Sequence, residues 1–253
     1  MNAPTLNPGR LAALGRSELT LLVRNRATLG VALMMPAAMV VVLRSSVPGD
    51  SAAALAEATL TGGIGMILIL VVYMNLVSAY VARREELVLK RLRTGEARDL
   101  EILTGTALPA AFIAAAQILV LAVGGAAVLG APMPANPLVV ALAVVAAVPM
   151  LAGLAAVTSA FTRNVESAGL TTLPLFLLTA MGSGMFVPVD KMPDALASAC
   201  ELLPLSGVMA FVRAGWSGDA AGADLTVAAL TTLAWIMVTV FAVRKWFRWE
   251  PRR

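Results

Sequence analysis

Long apolar runs and short charged connectors alternate along this chain. A helix needs about 20 apolar residues to cross the hydrocarbon core of a bilayer. Runs of that order fall at 28–47, 60–82, 106–129, 137–161, 167–188 and 224–246. Barrel strands are about 10 residues long and alternate in polarity, and these runs do neither. The pattern therefore predicts an all-α membrane protein with six transmembrane helices. The segment 8–26 has a different rhythm. At about 100° per residue, Leu11, Leu14, Leu19 and Leu22 share one side and Arg10, Arg16 and Arg24 the other, with Glu18 interrupting the apolar face. This periodicity predicts a helix lying in the membrane interface. The plainer alternative is a solvated basic tail that only sets topology.

The basic residues orient the spans. Arg10, Arg16, Arg24 and Arg26 precede the first run, and Arg83, Arg84, Lys90, Arg91, Arg93 and Arg98 follow the second. Arg163 follows the fourth, and Arg244, Lys245, Arg248, Arg252 and Arg253 end the chain. Six spans place these sixteen residues on one side and leave Arg44, Lys191 and Arg213 on the other. Positive charge collects on the cytoplasmic side, so the expectation is a multi-pass protein of the cytoplasmic membrane with both termini inside. Five or seven spans would split the two basic ends. A cleaved leader is disfavoured, because the charged region is long and the run after it is of spanning length.

Two connectors are longer than a simple join requires. The first, 83–105, reads RREELVLKRLRTGEARDLEILTG. Helix signals continue through Arg93, Gly95 is a natural left-handed stop, and a second short helix is expected from Glu96 to Thr104. Apolar anchors within so charged a stretch suggest a docking surface for a cytosolic partner. The second, 189–223, contains an apolar stretch broken by Glu201 and Pro204. A straight seventh span would bury Glu201 at a cost of several kcal/mol. Two short helices meeting near Pro204, re-entrant or interfacial, are expected instead.

Composition narrows the chemistry. The chain is 59% hydrophobic and 13% charged, with a mean hydropathy of +0.86. The pI of 9.8 reflects charges flanking the spans rather than a basic patch with stacking aromatics, so nucleic acid is not an expected partner. The absence of histidine removes His-based acid–base chemistry and His-ligated metals, and the single Cys200 excludes an internal disulfide. No GxxxxGK[ST] phosphate loop, GxSxG elbow, HExxH helix or CxxC pair occurs. No acid stands at the expected mid-depth of a span, where ion-coupled carriers commonly place one. The polar residues there are Tyr73, Asn75, Ser78, Gln117, Thr158, Ser159, Thr179 and Ser183. Their ordinary use is hydrogen bonding between helices, worth about 1 kcal/mol or less each. The Gly182–Gly184 patch suits close helix approach or a hinge. A chain built to move something, with no energy source of its own, calls for an external motor.

Two stretches carry a family resemblance. The first is Glu85-Glu86, then Leu89-Lys90-Arg91-Leu92-Arg93-Thr94, then Glu101-Ile102-Leu103 and Gly105. The second is Gly184 with Phe186-Val187-Pro188, then Met192-Pro193, Leu203-Pro204 and Arg213. Together with the plan of spans, they resemble the membrane-spanning permease subunit of type-2 ABC exporters, a class that includes bacterial drug-resistance and polysaccharide exporters. The family often shows Gly-Thr after the paired Glu, where this chain has Leu87 and Val88, and a Pro soon after the basic run, where it has Gly95 and Glu96. The resemblance covers nearly all of 1–253, read as a single transmembrane domain. It implies that 83–105 seats on a separate ATP-hydrolysing subunit, with Glu85, Glu86, Lys90, Arg91 and Arg93 in the docking. ATP and Mg would belong to that partner, and this chain would hold no cofactor or metal and be no enzyme. The resemblance also implies pairing with a second copy or a paralogue. The substrate path would be lined by the second and fifth spans, with Tyr73, Asn75, Thr179 and Ser183 as wall candidates. Pro188, Pro193, Pro204 and Arg213 would shape the outer re-entrant element. The implied activity is export of an amphipathic drug, lipid or glycan. A membrane anchor or assembly factor without transport is the alternative, and an intramembrane enzyme a remote third.

Overall fold

A computed structural model describes residues 52–94, 99–183, 193–219 and 225–250, with Thr20, Gly30, Met34, Ala38 and Val41 as isolated helical positions. The expected interfacial helix 8–26 and first span 28–47, apart from those positions, lie outside the described residues, as do Gly184, Phe186, Val187, Pro188 and Met192.

Backbone polar groups must be satisfied within the segment when lipid is the solvent. Every described element is accordingly a helix: α1 (Ala52–Ile67), a π-helical stretch π1 (Leu68–Met74), α2 (Asn75–Glu85), α3 (Val88–Thr94), α4 (Asp99–Leu129), α5 (Pro137–Phe161), α6 (Val165–Gly182), α7 (Asp194–Glu201), α8 (Ser206–Ser217) and α9 (Leu225–Trp246). Five helices are long and apolar enough to span: Glu57–Glu85, α4, α5, α6 and α9. They coincide with the second to sixth runs of the sequence. The span Glu57–Glu85 joins α1, π1 and α2, and it is the most buried of the five. Within π1 the ladder widens, and the Asn75 N–H returns to the Leu70 carbonyl five residues back.

The first long connector departs from expectation in two ways. The chain breaks at Leu87, which holds a left-handed backbone (φ 58°), inside the stretch through Arg93 expected to be continuous helix; α3 ends at Thr94, and the expected stop at Gly95 lies outside the described residues. The left-handed region costs a non-glycine residue about 1–2 kcal/mol. The bend allows α3 to fold back so that Leu89 is wholly buried, and burying a leucine returns about 1.5–3 kcal/mol. Secondly, the described part of the expected short helix, from Asp99 to Thr104, is no separate element but the start of α4, which runs unbroken to Leu129; Glu96 to Arg98 lie outside the described residues. The acids that signalled a short helix favour the N-terminus of this long one, and Ile102 and Leu103 are buried against its neighbours.

The second long connector matches expectation. Helices α7 and α8 meet at 92°, with Pro204 buried at the bend. The Ser206 hydroxyl donates to the Cys200 carbonyl (2.6 Å), and the Trp235 indole N–H donates to the Leu202 carbonyl (2.8 Å). α8 packs among α1, α5 and α9. Its last carbonyls are met by the loop before α5: Asn136 N–H donates to Gly215 (2.8 Å) and Ala135 N–H to Trp216 (3.1 Å).

The bundle therefore has two distinct ends. One holds α3, the start of α4, the end of α5, the start of α6 and the tail after α9. The other holds the α4–α5 loop and the α7–α8 hairpin. The described basic residues gather at the first end, with Arg213 in α8 at the other, as the charge count of the sequence anticipates.

Candidate functional site

The connector end is assembled by one stripe of the second span. Tyr73, Leu76, Val77, Tyr80, Val81 and Arg84 recur at three- and four-residue spacing, and all are buried. A helical stripe meets its neighbours this way. The last member of the stripe is charged. Arg84 is 1% exposed, and its guanidinium donates from Nη1 to the Ser159 carbonyl (2.7 Å) and from Nη2 to the Thr162 carbonyl (2.7 Å). These carbonyls close α5, where a helix leaves acceptors unsatisfied and carries partial negative charge. The planar, permanently charged fork suits that pair of acceptors. One turn earlier, the Tyr80 hydroxyl donates to the Leu103 carbonyl of α4 (3.1 Å). Arg83 donates from Nη1 to the Thr106 hydroxyl (3.0 Å). Thus the turn that ends α2 grips both α4 and α5. Glu101, on α4, is also 1% exposed.

The docking candidates divide by position. Glu85, Glu86, Lys90 and Arg91 are exposed on and around α3, and Arg93 lies in its last turn. Lys90 Nζ pairs with Glu250 Oε1 of the C-terminal tail at 2.8 Å. Neither Arg84 nor Glu101 was among the sequence candidates. The signal for Arg84 was present, because it continues the buried stripe one turn past Tyr80. Its adjacency to Arg83 and to the acidic pair made it read as one more surface charge. Nothing in the pattern marked Glu101 as buried.

The four path candidates are dispersed. Tyr73 is buried in π1, its hydroxyl 3.1 Å from that of Thr158 on α5. Asn75 is exposed, alone among the polar residues from Thr59 to Ala82. Thr179 and Ser183 are buried at the end of α6, where the Ser183 hydroxyl donates to the Thr179 carbonyl (2.6 Å). Among the described residues Thr179 and Ser183 are thus joined within one helical turn, and neither is hydrogen-bonded to Tyr73 or Asn75. In the outer element, Pro193 precedes α7, Pro204 marks the bend, and Arg213 donates from Nη1 to the Ser183 carbonyl (2.9 Å). Arg213 thus repeats at the far end of the bundle what Arg84 does at the connector end: a guanidinium closes the last carbonyls of a neighbouring helix.

No group of three or more potential metal ligands occurs among the described residues. A family model described as "ABC-2 type transporter" matches residues 10–215, from before the first run into α8. A comparison with curated proteins returned no match. Membership implies a partner ATPase subunit and a membrane setting. The chain belongs to the ABC-2 type transporter family, as a permease component of an ABC transporter.

Proposed function

We propose that this chain is the permease of an ATP-driven exporter, working as a pair of copies or with a paralogue. Its connector end seats a separate ATPase in the cytoplasm, and ATP and Mg act there. Glu85, Glu86, Lys90, Arg91 and Arg93 form the docking face. The observation that carries this reading is the buried fork of Arg84 on the end of α5. It makes the base of α3 mechanically continuous with the spans, as an externally driven permease requires. The spans support a substrate of amphipathic character, such as a drug, lipid or glycan-linked lipid. Residues 58–82, 102–162, 167–189 and 225–243 contain no charged side chain, so a bare ion would find no counter-charge along them. Asn75, exposed on an otherwise apolar span, is the leading wall residue for a path between copies. Tyr73, Thr179 and Ser183 stand behind it. The basic end faces the cytoplasm with both termini, and the α7–α8 hairpin faces outward.

The test is nucleotide turnover by the co-purified complex in liposomes. The double reversal R91E/R93E is expected to abolish stimulation of the ATPase by this chain while leaving its expression and membrane insertion at wild-type levels. Undiminished stimulation would remove the docking role. A purified wild-type chain that recruits no ATPase at all would favour an anchor over a permease.

A further inference from the structure

We infer that the C-terminal tail after α9 is a structural part of the docking face, so that the partner ATPase grips α3 and this tail together. The inference rests on the docking role proposed above for α3 and extends it to residues that nothing so far assigns.

Size gives the first argument. A stable docking interface takes about 800 Å² and 20–30 residues from each partner. α3 has seven residues and is about 10 Å long, so it cannot supply such a face alone, and the partner has to spread onto whatever lies beside it. The second argument is what lies beside it. Glu250 reaches Lys90 at 2.8 Å, with both side chains more than half exposed. A partner that touches Lys90 therefore meets Glu250 in the same contact. The third argument is that the tail is held rigidly enough to serve. Phe247 meets the Tyr80 ring edge-on with centroids 6.0 Å apart, and Trp249 meets Phe247 in the same manner at 4.8 Å. Tyr80 is itself anchored to the Leu103 carbonyl. The aromatic run thus fastens the tail to the turn of α2 that carries Arg84, while Trp246 and Arg248, on the same short segment as Glu250, stay exposed. The resulting face mixes both charges with an aromatic projection. This composition suits a folded protein surface, where aromatic and arginine side chains are enriched, better than a bare anionic lipid surface, which would select basic residues alone.

The experiment places a photo-reactive amino acid at Arg91 on α3, at Arg248 on the tail, and at Leu138 at the far end as control, in the full chain in native membranes. Cross-linked products are identified by mass spectrometry. The expected result is one polypeptide, carrying a GxxxxGK[ST] phosphate loop, captured from both Arg91 and Arg248 and not from Leu138. Capture from Arg91 alone overturns the inference and leaves the docking role of α3 standing. Capture from neither position removes both. A charge reversal supplies a second readout, the amount of ATPase co-purified. E250K is expected to lower it about two- to five-fold, the scale of an exposed ion pair. Unchanged or increased recovery with E250K overturns the inference.

Discussion

Replacing Arg84 by alanine withdraws two buried, charge-assisted hydrogen bonds, each 2.7 Å long, from the end of α5. Bonds to a charged group contribute about 1.5–3 kcal/mol each, so the pair sums to about 3–6 kcal/mol. Two effects reduce that figure. Burying a guanidinium carries a desolvation cost that leaves with the side chain. The Ser159 carbonyl also keeps a second donor, the Thr162 N–H at 3.2 Å. The expected loss is therefore about 2–4 kcal/mol. For a chain of this size, 1 kcal/mol moves Tm by about 2–4 °C, which predicts a fall of roughly 5–15 °C in one fixed detergent or lipid mixture. Arg84→Lys keeps the charge but lacks the planar fork, and it is expected to recover about half of the loss. Thr106→Val, which removes the acceptor of Arg83 and an intrahelical bond to the Ile102 carbonyl but leaves Arg84 in place, serves as a control, with an effect of about 1 kcal/mol. An Arg84→Ala protein melting within about 2 °C of the wild type would show that the α5 carbonyls are satisfied by other means, and the continuity argued from Arg84 would fall with it.

Leu87 occupies a left-handed position (φ 58°) that glycine adopts without penalty, so Leu87→Gly is expected to raise stability by about 1 kcal/mol and Leu87→Val to lower it, read in the same melts; the reverse order would contradict the backbone assignment. A Cβ on Gly207 would run into the Ala228 carbonyl and the Thr232 hydroxyl, whereas one on Gly169 would meet nothing within 4 Å. Gly207→Ala should therefore cost about 1–3 kcal/mol by overpacking α8 on α9 and Gly169→Ala should be neutral or stabilising, and equal melting temperatures would refute the close approach. Cys200 is buried, which makes it a poor reporter of sidedness. In a Cys200→Ala background, Glu201→Cys is expected to react with an impermeant thiol reagent on whole cells, and Arg248→Cys only after permeabilisation. The opposite pattern would invert the proposed orientation.

Most of the spans were legible because the bilayer imposes a length and a polarity that few other contexts demand. The described spans fall where the apolar runs do, and the bend at Pro204 follows from the cost of carrying Glu201 through lipid. The first long connector was less legible, for a specific reason. Helix signals run on through Arg93, yet the chain turns at Leu87. Local propensity there was outweighed by burying Leu89, which is a tertiary effect that no local pattern records. Asp99 and Glu101 likewise signal a helix start but not its length. The polar mid-span residues illustrate a different limit. Tyr73 became a wall candidate through the family resemblance, and residue type alone does not tell such a role from bonding to a neighbouring helix, which Tyr73 does with Thr158. Arg84 shows the converse, since its place on the buried stripe was readable while its charge argued for the surface.

The contacts also constrain how motion at α3 is able to spread. Moving α3 and the end of α2 independently of α5 requires breaking both Arg84 bonds in a buried setting, at a cost of several kcal/mol. Moving them together breaks none. α5 is in turn tied at its other end, where Asn136 and Ala135 donate to the last carbonyls of α8. α8 then reaches α6 through Arg213 and the Ser183 carbonyl. Each link is a hydrogen bond at a helix terminus, where carbonyls lack the regular intrahelical partner. Such links keep their register under load better than side-chain packing alone, because a sliding helix would strand them. A displacement entering at the connector is therefore cheapest as a concerted shift of α2, α5 and α8 that carries with it the start of α4, held by Tyr80 and Arg83, and the end of α6, held by Arg213. The widened turn of π1 lies on the same span and contains Tyr73, the first residue of the stripe that ends in Arg84. It is the place on that span where the hydrogen-bond ladder has already departed from the α register, so bending there disrupts the least regular structure.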